Sequence, residues 1–137
     1  MLLKRGLKPE IPLLTLPELN NKIWGLHSKK LTILGARTSQ GKSALAVQMA
    51  WDVASQGIPT LFLSLEMYEE DVIERIFCMV NKINNLDLLT GQFKDKYQQQ
   101  WQEFKNKVED VPLVITDMMG KTWNEIDTYL VELQDKP

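Results

Sequence analysis

Residues 36–43 read Ala-Arg-Thr-Ser-Gln-Gly-Lys-Ser, types and spacing that suit the holding of a polyphosphate. The pattern is G-x-x-x-x-G-K-[ST], with Ala36 in place of the first glycine and small enough to permit the same tight turn. Gly41 lets the backbone approach a phosphate closely, and Lys42 brings a point positive charge to the β- and γ-phosphates. Ser43 offers a hydroxyl to a Mg2+ that bridges those phosphates. The bland alternative is a Gly-Lys-Ser turn whose lysine merely faces solvent. The flanking patterns argue against it, because an apolar run precedes the loop and a helix-like stretch opens at Lys42. The orphan N–H groups and positive dipole end of that helix then point into the loop. Nucleotide contact is therefore expected from Arg37, Thr38, Ser39, Gln40, Gly41, Lys42, Ser43 and Ala44, with Ser43 as the metal-facing hydroxyl.

Glu66 follows the apolar run 60–65, at the carboxyl end of a second strand candidate. In a parallel sheet those ends face the ligand crevice, so Glu66 is expected on the same side as Lys42. A carboxylate there can orient and deprotonate water for attack on a γ-phosphate, and the alternative is a solvated glutamate. Asp117, after the apolar run 113–116, reads either as a Mg2+ ligand or as a turn and capping residue before Gly120. Cys78 lies among apolar neighbours and reads as a small core residue. His27 sits in a polar turn with no partner that would make it a ligand or base.

The elements that must position these residues follow from periodicity. Run 31–36 is short, apolar and partly β-branched, as for a strand buried on both faces, and runs 60–65 and 113–116 are similar. Helices are expected from Lys42 to about Gln56, with Ala46, Met49, Ala50 and Val53 on one stripe, and from Glu69 to Ile83. Val72, Ile76, Met79, Val80 and Ile83 line the inner face of the second. A third helix carries Phe93, Tyr97, Trp101, Phe104 and Val108, an aromatic stripe that reads as a packing face. A fourth runs from Thr122 to Leu133, with Thr122 and Glu125 in capping-box spacing. Strands alternating with helices mean βαβ units and a parallel sheet, so the fold class is α/β with about three core strands. Residues 1–28, with Pro9, Pro12 and Pro17, read as an extended arm.

Composition bounds the rest. The chain has 137 residues, 44% hydrophobic and 25% charged, which are globular proportions that disfavour disorder and fibrous classes. Its longest apolar runs are far short of the roughly 18 residues that cross a bilayer. Lys4, Arg5 and Lys8 arrive before any signal-peptide core, and a single cysteine excludes an internal disulfide or a Cys-based zinc site. A cytoplasmic chain without a membrane segment is the expectation. The net charge of −2 hides eight basic and two acidic residues in 1–50 against eight basic and sixteen acidic beyond. An all-over basic coat for nucleic acid is thus absent, and Lys4, Arg5, Lys8, Lys29 and Lys30 read as solvated.

Gly25-Leu26 and residues 31–43 resemble the opening of the RecA-like ATPase domain of DnaB-type replicative DNA helicases, whose loop commonly reads A-A-R-P-S-M-G-K-T. The alanine at the first loop position is then expected. Residues 62–67, Phe-Leu-Ser-Leu-Glu-Met, are similar to that family's F-S-L-E-M, and Arg75 and Thr90-Gly91 fall where it has an arginine and a T-G. Residues 111–126 are similar to its A-P-L-Y-I-D-D-T-P-G-L-T-x-x-E-I without a gap, so the likeness covers about 25–133.

The resemblance implies a P-loop NTPase of RecA-like fold, with residues 1–24 a linker arm and 25–137 the N-terminal part of the ATPase domain. It implies that Lys42 and Ser43 hold MgATP, that Glu66 is the catalytic carboxylate, and that Asp117 is not the Walker B aspartate, which ends a later strand. That strand, the arginine finger and the DNA-binding loops are expected beyond Pro137, so the chain reads as cut short and weak or inactive by itself. Single-stranded DNA and a homo-oligomer, a hexamer in the family, are the implied partners of the complete protein. Two other readings stand beside this one: a nucleotide-binding module without turnover, and another RecA-like ATPase of KaiC or recombinase type.

Overall fold

A computed structural model describes residues 9–84, 86–87 and 93–134. Lys4, Arg5, Lys8, Asn85, the Thr90-Gly91 pair, the Phe93 side chain and residues 135–137 lie outside the described residues. Seven elements follow in order: α1 (Pro17–Ile23), α2 (Lys42–Ala54), β1 (Thr60–Ser64), α3 (Glu69–Asn81), α4 (Phe93–Glu109), β2 (Leu113–Asp117) and α5 (Trp123–Gln134).

The sheet among the described residues has two parallel strands, in register from Thr60 opposite Leu113 to Ser64 opposite Asp117. Parallel neighbours need a long crossover, and α3 and α4 supply it. The α/β class holds, but the run 31–36 forms no strand. All six of its residues are exposed, Leu31 at 88% and Ile33 at 83%. β-Branched, apolar composition favours extension, yet a strand exists only through its ladder, and β1 and β2 pair with each other alone.

The amphipathic helices form where their periodicity places them, because each has an apolar stripe to bury. The core joins Val47 and Trp51 of α2, Val72, Ile76, Phe77 and Cys78 of α3, and Phe104 of α4. Phe77 meets Trp101 and Phe104 edge-on, with ring centroids 4.9 and 5.3 Å apart, so the aromatic stripe of α4 is a packing face. A kink at Tyr97 (φ −122°) bends α4 near its start. On α2 the buried face is Val47, Trp51 and Ala54, with Val53, while Ala46, Met49 and Ala50 are only half-buried. The buried stripe is thus rotated on the helix from the expected one, because Trp51, the largest side chain there, turns toward α3 and α4. At α5 the reciprocal cap is present: Glu125 Oε2 accepts from Thr122 N (2.8 Å), and Glu125 N donates to Thr122 Oγ1 (3.4 Å).

The arm differs from expectation too, since α1 is a short helix with Pro17 at its start, where a missing N–H costs nothing. Leu13 is buried, and Thr15 N donates to Asp52 Oδ2 (3.0 Å), which ties the segment to α2. No helix among the described residues is long and apolar enough to cross a membrane.

Candidate functional site

The loop 36–43 enters α2 through two left-handed residues, Ser39 (φ 61°) and Gly41 (φ 80°). Gly41 is the N-cap of α2, and no side chain caps the helix. The first intrahelical bond runs from Leu45 N to Gly41 O (2.9 Å), so the N–H groups of Lys42, Ser43 and Ala44 have no carbonyl within the helix to bond. Upstream, Gln40 N closes a turn onto Arg37 O (3.3 Å). The uncapped donors and the helix dipole favour an anion at this end.

A cleft of about 450 Å3 opens there. Of the expected loop residues, Arg37, Thr38, Ser39, Gly41, Lys42, Ser43 and Ala44 line it together with Ala36, while Gln40 does not. Glu66 also lines the cleft, with Oε1 3.9 Å from Lys42 Nζ. Two elements produce that approach. β1 delivers the chain to the loop, and a turn beyond it is fastened by the buried Ser64, whose Oγ donates to Met67 O (2.7 Å) and accepts from Met67 N (3.0 Å). Glu66 stands between those two anchors and projects outward, 72% exposed against 47% for Lys42. An ion pair this exposed adds little to stability.

Arg75 of α3 completes the lining, nine positions beyond Glu66. The loop pattern does not single it out as a contact, because packing of α3 on α2, rather than any short motif, brings it in. Its sequence signal is a cation placed two turns into a helix whose first turn is Glu69, Glu70 and Asp71. With Arg37, Lys42 and Arg75 around one carboxylate, the cleft has the net positive character a polyphosphate requires. Among the described residues no three or more His, Cys, Asp or Glu side chains gather to hold a metal ion.

Asp117 ends β2 in register with Ser64 and does not line the cleft. Cys78 is buried in the core, where burial pushes its thiol pKa up. His27 Nδ1 lies 4.0 Å from Glu10 Oε2, so it has an exposed partner that its polar turn did not suggest.

Comparison with known proteins gives a consistent result. The chain is 34% identical over 104 residues to the replicative DNA helicase DnaB of Treponema pallidum, covering 75% of this chain and 24% of that protein. It is 32% identical over 131 residues to the replicative DNA helicase DnaB of Rickettsia prowazekii, covering 87% and 27%. The chain thus spans about a quarter of the length of these relatives. Among solved structures, a helicase ATPase domain superposes with a TM-score of 0.73 at 21% identity, covering 93% of this chain and 45% of that one. That likeness shows the RecA-like helicase ATPase fold. A family model described as the DnaB-like helicase C terminal domain matches residues 14–136, and the chain belongs to that family.

Proposed function

We propose that the cleft binds ATP with Mg2+, and that the chain is the ATP-binding part of a DnaB-like replicative helicase that couples ATP hydrolysis to DNA unwinding. The observation that carries this reading is the approach of Glu66 to Lys42, 3.9 Å apart across a cleft floored by the uncapped end of α2. Lys42, Arg37 and the N–H groups of Lys42, Ser43 and Ala44 suit the phosphate chain, with Thr38 and Ser39 along the loop and Gln40 shaping its turn. Ser43 is the one hydroxyl at the start of α2 placed to hold Mg2+, which supplies charge neutralisation at the phosphates. The lack of an acidic cluster among the described residues fits a Mg2+ held mainly by substrate oxygens and water. Glu66 is the candidate general base, and Lys42 positions and polarises the terminal phosphate. Single-stranded DNA, a homo-oligomeric ring and a cytoplasmic location belong to this reading by the family likeness.

Titration of the chain with ATP and Mg2+ tests it. Lys42→Ala is expected to weaken binding by about tenfold or more, the loss of a charge-assisted contact. Glu66→Gln is expected to retain binding and to lower any turnover, with or without single-stranded DNA, by about 10²-fold or more. Equal ATP affinity for Lys42→Ala and the parent would defeat the reading. Nucleotide binding without turnover is the second reading, favoured by the exposure of Glu66, since a carboxylate in water gains nothing from desolvation. ATP binding with no hydrolysis, indifferent to Glu66→Gln, would select it.

A further inference from the structure

A second cavity, of about 360 Å3, adjoins the cleft between α2 and α3 and shares Ala44 and Arg75 with it. Direction along the phosphate chain decides what this space is for. Lys42 and Glu66 together mark the end where a terminal phosphate rests, and neither lines the second cavity. A third cavity, of about 300 Å3 against Leu34 and Phe62, does include Lys42 and Glu66 and so lies at the terminal-phosphate end. Whatever is attached to the other end of the phosphate chain therefore leaves past Ala44.

The chemistry of the second cavity suits that group. Val47, Met79 and Ile83 give apolar walls, and Gln48 and Asn84 bring one amide each. Gln48 Nε2 donates to Thr15 Oγ1 (3.2 Å), and Asn84 Oδ1 accepts from Leu86 N (3.0 Å). These bonds turn the Gln48 carbonyl and the Asn84 amino group to other partners, an acceptor and a donor of the kind a base edge needs. Arg75 stands at the junction, within reach of both phosphate and sugar. A cavity of this size and mixed lining matches small-molecule sites in general.

We infer that the α2–α3 groove holds the nucleoside of a nucleoside triphosphate, with the base on Val47, Met79 and Ile83 and the ribose passing Ala44 and Arg75. The inference rests on the phosphate reading of the loop. Calorimetric titration of the whole chain with ATP and with inorganic tripolyphosphate, each with Mg2+, tests the two separately. Wild type is expected to prefer ATP by about tenfold or more, since only ATP fills the groove. Met79→Trp, which fills the groove, and the milder pair Gln48→Ala with Asn84→Ala, which spares its apolar walls, are expected to bring ATP within about twofold of tripolyphosphate. Tripolyphosphate affinity should stay at the wild-type value in both. Equal affinity of wild type for the two ligands overturns the groove assignment and leaves the loop reading intact. So does a preference for ATP that survives both changes, or an equal loss of both ligands in both. Failure of both ligands to bind wild type overturns the loop reading, and the groove falls with it.

Discussion

Gly41 holds the backbone at φ +80° where the loop turns into α2, a conformation that costs an L-residue with a side chain about 1–2 kcal/mol. Open space surrounds the position a Cβ would take, so Gly41→Ala meets no clash and isolates the conformational cost. A denaturant midpoint lowered by that amount is expected, together with weaker ATP binding, because relief of the strain moves the N–H groups that face the cleft. Unchanged binding would show that the loop geometry is not what the ligand reads. Residues whose role depends on immediate neighbours, such as Gly41, Lys42 and Ser43, were legible in the sequence. So was Glu66, through its place just past an apolar run. Arg75 and Gln48 were not, because they reach the site only through the packing of α3 against α2 and of the arm against α2.

At the scale of elements, helix positions followed from apolar spacing, while which face is innermost followed from size. Phe77 of α3 is fully buried between Trp101 and Phe104 of α4. Phe77→Ala removes that contact and leaves a cavity, for an expected loss of about 3–5 kcal/mol measured by chemical denaturation. Asp52, buried on α2, gave no sequence signal for its partner, since Thr15 is brought to it by the docking of the arm. The α5 cap was legible as a four-residue pattern, and it carries a pH signature. Hydrogen bonds from the Thr122 backbone and hydroxyl, aided by Lys121, hold the Glu125 carboxyl below its usual 4.5. A carboxyl lowered by folding favours the folded chain while ionised. Its contribution is full above the usual value and lost as pH falls through the lowered one. Glu125→Gln is therefore expected to melt below wild type at pH 7 and to converge with it in strong acid. A gap that stays constant with pH would assign the effect to helix propensity instead.

For the whole molecule, the α/β class and the alternation of strands and helices were legible, but the membership of the sheet was not. Composition alone made 31–36 as good a strand as 60–65. Pairing separates them: β1 has β2 beside it through the full register, and 31–36 has neither. The consequence is an apolar segment in water, with Leu31 and Ile33 alternating along it and nearly fully exposed. Extended, apolar and unpaired backbone is a template for other chains, whether by edge pairing or by apolar contact. The 137-residue chain is accordingly expected to bind a hydrophobic dye and to self-associate with rising concentration in sedimentation experiments. Leu31→Lys combined with Ile33→Lys should suppress both effects without lowering thermal stability, because neither side chain contributes to the core of α2, α3 and α4. Association that persists in the double variant would move its source to another exposed apolar site, of which Trp123, at 80% exposure on α5, is the largest side chain.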